Sequence, residues 1–94
     1  MSAVTGSDAP ARRDDVFWVE VDGEAVLLHE TDQQLHRLNS TATLVWSCLD
    51  GATPLETIAL DISEVLGLPF EQVLRDTLTI GEQLLEQQLA EVSS

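Results

Sequence analysis

The stretch LHRLNSTATLVWSCLDG, residues Leu35–Gly51, begins as a strand and becomes a helix at Asn39 with no linker between. Asn39 is a good N-cap residue, with Ser40 and Thr41 as alternatives. Leu38, Ala42, Val45, Trp46 and Leu49 recur at helical spacing, and Gly51 closes the segment. The strand that feeds this helix spans Gln33–Leu38 and is mostly polar, with Leu35 and Leu38 as its only large apolar residues. A polar strand welded to a helix, with no catalytic group beside it, points to an edge that another chain extends.

Upstream, DVFWVEVDGEAVLLHE (Asp15–Glu30) holds two apolar runs around Asp22-Gly23, a strong two-residue hairpin signal. That turn sets Val21 opposite Glu24, Val19 opposite Val26 and Phe17 opposite Leu28. The other face carries Val16, Trp18 and Leu27, so the hairpin is expected to be partly covered on both sides. Glu30-Thr31-Asp32 turns the chain into the third strand. Downstream, TPLE (Thr53–Glu56) reads as a capping box with proline at the first helical position. That helix presents Leu55, Ile58, Ala59, Ile62, Val65 and Leu66 and stops at Gly67. Pro69 opens a third helix with the stripe Phe70, Val73, Leu74, Thr77, Gly81 and Leu84, widened by Leu78, Ile80, Leu85 and Leu89.

Residues 1–14 are small, polar and proline-containing and read as a disordered arm; residues 91–94 read as a frayed tail. Between them, residues 15–90 form one domain. Its element order predicts an α+β, winged helix-turn-helix-like fold: three N-terminal antiparallel strands followed by three helices.

Charge narrows the functional classes. Seventeen acidic residues face four basic ones, all arginine, for a net charge of −13 over 94 residues. Such a surface repels nucleic-acid phosphates and favours a basic partner. No window approaches a membrane span and the N-terminus lacks an apolar signal core, so the expected compartment is the cytoplasm, with no membrane partner.

Catalytic candidates are few. His29 and His36 read as strand-surface histidines, because no cysteine lies near enough to complete a metal site. Cys48, the single cysteine, sits in an amphipathic helix with no local base to activate it and reads as a structural thiol. Asp61 with Glu64, and Glu82 with Glu86, share helix faces and read as solvated acids. The sequence therefore predicts no enzyme activity, metal or other cofactor.

What remains is a surface. The polar third strand beside the wide stripe of the last helix would make a groove suited to capturing an extended peptide as an added strand. The competing reading is an ordinary wing packed on its own core, its edge merely solvated.

Several residues resemble the pattern of the PqqD-like family, the recognition elements of ribosomally made, modified peptides. Leu38-Asn39, Trp46 and Asp50-Gly51 match its first helix, and Thr53, Glu56, Ile58 and Ala59 match the second loosely. Leu66-Gly67 matches the exit of that second helix, and Val73 to Asp76 match a motif of the last one. The resemblance spans roughly residues 15–90. Gln88-Leu89 departs from a common Gly-Leu ending, and Gly81 stands where a larger apolar residue is usual.

The resemblance implies non-catalytic binding of a precursor's leader segment, added beside the third strand and packed on the third helix. The precursor would then reach a modifying enzyme or leader peptidase, in pathways such as those of lasso peptides. By position, Gln34, Leu35, His36, Arg37 and Leu38 would supply strand pairing, with Leu35 or Leu38 lining a pocket and Arg37 meeting a leader carboxylate. Gln72, Asp76, Thr79, Ile80 and Gln83, flanked by Arg75, would supply the helix face, Asp76 most specifically. Two alternatives stand beside this one. A DNA-binding winged helix is disfavoured by a last helix whose only cation is Arg75, and a structural adaptor or homodimer would use Leu85 and Leu89 as its contact face.

Overall fold

The computed structural model describes residues 4–92. Its elements are β1 (Pro10–Arg12), β2 (Val16–Val21), β3 (Glu24–His29), β4 (Gln34–Arg37), α1 (Ser40–Cys48), α2 (Leu55–Leu66), α3 (Phe70–Glu86) and β5 (Ala90–Val92). Asp22 and Gly23 both adopt positive φ, 53° and 80°, as a two-residue hairpin turn compatible with strand twist requires. The resulting pairs are Val21↔Glu24, Val19↔Val26 and Phe17↔Leu28, the register the turn predicts. β4 then adds antiparallel to β3, giving a three-stranded sheet of order β2-β3-β4.

Only one sheet face is covered. Val16, Ala25, Leu27 and His29 are buried against the helices. The opposite face is open: Phe17, Val19 and Val21 are 59%, 62% and 56% exposed. The expectation of partial cover on both sides is corrected here, because all three helices pack on the same side. His29 is corrected too. It shares the inward parity of Ala25 and Leu27, so it is buried, with its Nε2 3.1 Å from the Gln88 carbonyl. Asp15 and Asp32 flank the ring at 3.8 and 3.5 Å.

The core centres on Trp46, fully buried among Leu27, Leu49, Leu55, Ile58, Leu84 and Leu89. Trp18 meets it edge-on at 6.1 Å and 87°. This pair adds about 0.5–1.5 kcal/mol beyond area burial.

The ends of the chain are more ordered than composition implies. Pro10–Arg12, inside the expected disordered arm, pairs with Ala90–Val92, which overlaps the expected frayed tail. Residues 1–3 and 93–94 of those two expectations lie outside the described residues. Side-chain and main-chain contacts hold the arm down. Leu55 and Glu56 donate their backbone N–H groups to the carbonyls of Asp8 and Gly6. Arg12 donates to the carbonyls of Trp46 and Ser47, both at 3.0 Å, closing the C-terminal end of α1 with a cation. Its guanidinium also lies 5.9 Å from the Trp18 ring centroid.

Those contacts explain why the TPLE capping box does not form. The arm's carbonyls take the first N–H groups of α2. Thr53 is drawn back to Asp50, whose carboxylate accepts from Ala52 N, Thr53 N and Thr53 Oγ1 at 2.9, 2.7 and 2.8 Å. Pro54 stands at the N-cap instead of the first helical position, so α2 starts one residue later than expected. The backbone N–H of Ala52 and then that of Thr53, joined by the Thr53 hydroxyl, hold the Asp50 carboxyl below its ordinary value of 3.8.

α2 and α3 end alike. In α2, Gly67 sits at φ 66° and Leu68 N reaches back to Ser63 O. In α3, Leu89 N reaches Leu84 O and Gln88 N reaches Leu85 O, with Gln88 left-handed at φ 59°. The non-glycine at Gln88 thus occupies a position that favours glycine, while Leu89 is pulled into the core.

Both special positions can be probed by stability. Gln88→Gly should relieve the left-handed strain and raise stability by up to about 1 kcal/mol in urea unfolding, since the carbonyl that meets His29 is retained. Asp50 has a depressed folded-state pKa, so its stabilisation is full above 3.8 and is lost as pH falls through the folded value. Asp50→Asn should therefore flatten the fall in melting temperature as the pH drops below 3.8.

Candidate functional site

Among the described residues, β4 is an edge strand, paired only with β3. Leu38 N donates to Ala25 O at 2.9 Å. Alternation along an antiparallel ladder then turns the N–H and C=O groups of His36 toward β3 and those of Leu35 and Arg37 outward. The free edge thus presents two residues' worth of main-chain donors and acceptors.

What fixes this edge relative to the helices is the junction at its end. The buried Thr43 hydroxyl accepts from Ala25 N at 2.8 Å and lies 3.4 Å from Leu38 O, to which it donates. Asn39 Oδ1 accepts from Ala42 N at 2.8 Å and starts α1, the cap expected from sequence. Strand, cap and helix are therefore one rigid corner.

Beside that corner runs a hollow of about 270 Å³, lined by Asn39, Thr41, Asp76, Thr79 and Ile80. The structure thus brings Asp76, Thr79 and Ile80 of α3 to the end of β4. Gln72, Arg75 and Gln83 are exposed on α3 but do not line the hollow. On β4, Leu35 and Arg37 project onto the open sheet face, whereas Gln34 and His36 share the parity of the buried face. Leu38 packs against the core. Arg37 is paired with Glu24 at 2.8 Å, so a ligand carboxylate would have to compete with that partner. Sequence reasoning treats Asn39 and Thr41 as cap residues alone. Their position at a strand–helix junction is the available signal for a lining role.

A second hollow of about 370 Å³ lies among Ala11, Arg12, Arg13, Asp14, Val16, Trp18, Leu49 and Asp50. Both of its arginines already have partners: Arg12 serves the α1 carbonyls, and Arg13 binds Asp15 at 3.0 Å. Hydrogen bonding to Arg13 holds the Asp15 carboxyl below its usual range. Cys48 is half-buried and lines a small hollow with Leu44, Asp61, Ile62 and Val65. Asp61, Glu64, Glu82 and Glu86 are all exposed. Among the described residues, no group of three or more His, Cys, Asp or Glu side chains is placed to hold a metal, and no helix is long and apolar enough to cross a membrane.

The architecture is a small α+β, winged-helix-like domain that carries an open strand edge against a helix face. The family model for coenzyme PQQ synthesis protein D (PqqD) matches residues 24–90, well over half the chain. The chain belongs to the PqqD family. No curated protein matches the sequence. Three solved structures share the fold. One, described as TbiB1 in complex with the TbiA(beta) leader peptide, is 25% identical with a TM-score of 0.79, over 89% of this chain and 98% of that one. A lasso peptide synthetase B1 complexed with the leader peptide is 20% identical with a TM-score of 0.77, over 88% and 98%. The PqqD truncation of Methylobacterium extorquens PqqCD, a stand-alone recognition element for ribosomally synthesised and post-translationally modified peptides, is 22% identical with a TM-score of 0.79, over 95% of each chain.

The junction itself is testable. Thr43→Val keeps the side-chain shape but leaves the buried Ala25 N–H without its acceptor. Urea unfolding should show a loss of about 1–3 kcal/mol.

Proposed function

We propose that this chain binds the leader segment of a ribosomally made precursor peptide and does not itself catalyse a reaction. The leader would add antiparallel or parallel to the free edge of β4, lay side chains into the hollow at Asp76, Thr79 and Ile80, and so be held for a modifying enzyme or leader peptidase. The observation that carries this reading is the juxtaposition of an unpaired strand edge with a helix-lined hollow at one rigid corner. The TbiB1 structure, similar over nearly its whole length and holding a leader peptide, supports it.

In this reading, Gln34 to Leu38 provide the pairing strand, and Gln72, Arg75 and Gln83 extend the contact along α3 beyond the hollow. Asp76 is the specific polar contact, exposed and free to meet a leader amide or cation. Tethering raises the local concentration of precursor at the enzyme without any new catalytic group. A net charge of −13 steers a lysine-rich leader toward the groove, and that contribution to association fades with added salt.

Fluorescence polarisation with labelled leaders from several peptide classes, lasso precursors first, tests the reading against a labelled DNA duplex. One leader should bind at micromolar or tighter affinity, and the duplex should not bind. Asp76→Ala should weaken the cognate leader by roughly tenfold with an unchanged melting temperature. Methylating the leader's backbone nitrogens singly should abolish binding at alternate positions and spare those between, the signature of strand addition. A methylation profile without that period of two, or affinity only for DNA, would sink the proposal.

A further inference from the structure

The open face of the three-stranded sheet is a second interaction surface, separate from the edge of β4. Phe17, Val19 and Val21 of β2, Val26 and Leu28 of β3, and Leu35 of β4 all point to it in register. Leu35 is the most exposed of them, at 71%. Between the strands lies a shallow depression of about 350 Å³. A contiguous apolar surface of this kind on a soluble chain marks a contact site, because isolated surface leucines do not align across three strands.

Charge at the margins identifies the occupant. At the hairpin end stands the exposed carboxylate of Asp22, and at the other end that of Glu30, which follows β3 with the parity of Val26 and Leu28. The one cation on the face, Arg37, is neutralised by Glu24. A second copy of this chain would bring two surfaces of net charge −13 together, acidic margin against acidic margin. The complementary ligand is apolar in the middle and cationic at both ends. β2 is six residues long, about 20 Å, the length of a helix of about 14 residues. Helices are also the elements that ordinarily cover a sheet's apolar face.

We infer that the open sheet face docks a cationic amphipathic helix of a partner protein, its apolar stripe over Phe17, Val19 and Leu35 and its basic residues against the acidic ends of the sheet. The site is distinct from the leader groove. The groove uses the main-chain edge of β4 and the α3 side of the domain, whereas this surface uses side chains on the outward side of the sheet.

The test uses a synthetic, labelled 18-residue helix (about five turns) with leucines on one face and lysine pairs at both ends. Fluorescence anisotropy should show saturable binding to the full chain. The affinity should fall at least about tenfold in Phe17→Ser/Leu35→Gln, and should weaken with salt. Val19→Thr alone, a milder change at an exposed position, should weaken it in the same direction if the double variant melts early. A probe with glutamate in place of lysine should not bind. Asp76→Ala should leave the probe's affinity unchanged, so a failure of leader binding would not register as a failure here. Equal binding by the double variant, equal binding of the glutamate probe, or no binding by the wild type would overturn the inference. So would light scattering that shows a dimer lost in the double variant, since the face would then belong to a second copy.

Discussion

The hydrogen bond from Ala25 N to the Thr43 hydroxyl is the constraint on which the rest of the molecule depends. At the far end of the β3–β4 ladder a strand would ordinarily fray, and its last amide would look for water. Here that amide is inside the protein, and a side-chain oxygen from the first turn of α1 satisfies it. Leu38 N to Ala25 O closes the other half of the same corner. The helix therefore cannot rotate about its own axis without orphaning a buried donor. Since Trp46 lies one turn further along α1, its insertion among Leu27, Leu55 and Leu84 is set by the same bond. Position of the core and position of the open edge are thus one geometric fact.

The second layer of order is at the chain ends, and it compensates for what a chain this small lacks. One core in a domain below about 100 residues gives a modest margin of stability. The arm returns across the molecule three times over: its carbonyls cap α2, Arg12 caps α1, and β1 pairs with β5. β5 in turn begins just after the left-handed turn at Gln88, whose carbonyl also meets the buried His29. Without that turn, Leu89 would not reach the core, and Ala90–Val92 would not meet Pro10–Arg12.

How much of this is legible in the sequence depends on the range of each interaction. The hairpin register is legible because Asp22-Gly23 admits few turn geometries, and a two-residue turn fixes every pair beyond it. The Asn39 cap and the α3 stripe are legible because a cap and a helical period are local. The β1–β5 pairing is not, since no property of Pro10–Arg12 marks a partner at the opposite end of the chain. The TPLE box misleads for the same reason: its pattern is complete locally, but Asp50 and the arm's carbonyls reach its groups first. His29 reads as a surface residue only while its polarity is weighed above its parity with Ala25 and Leu27. Of the groove, Asp76, Thr79 and Ile80 are anticipated through family resemblance, whereas Asn39 and Thr41 are absorbed into their capping role. The open face of the hairpin is hidden because alternation shows that a face is apolar, not whether anything covers it.

The two surfaces left open differ in what they are able to supply. β4 offers the outward N–H and C=O groups of Leu35 and Arg37, about four hydrogen bonds at roughly 1 kcal/mol net each. That total corresponds to millimolar affinity, before any cost of ordering the incoming strand. A main-chain edge alone is therefore permissive and weak, as a polar four-residue strand must be to avoid pairing with unrelated chains. Reaching micromolar affinity takes about another 4 kcal/mol, comparable to burying some 150 Å² of apolar surface at about 25 cal/mol per Å². The hollow beside Asp76, where Ile80 and Thr79 stand, is half polar and offers only part of such surface, so the rest would have to come from contacts further along α3. In the proposed binding mode, side-chain selectivity would reside in α3 and the α1 corner, while β4 would set direction and register. The Thr43 junction would then fix the distance over which one peptide must satisfy both.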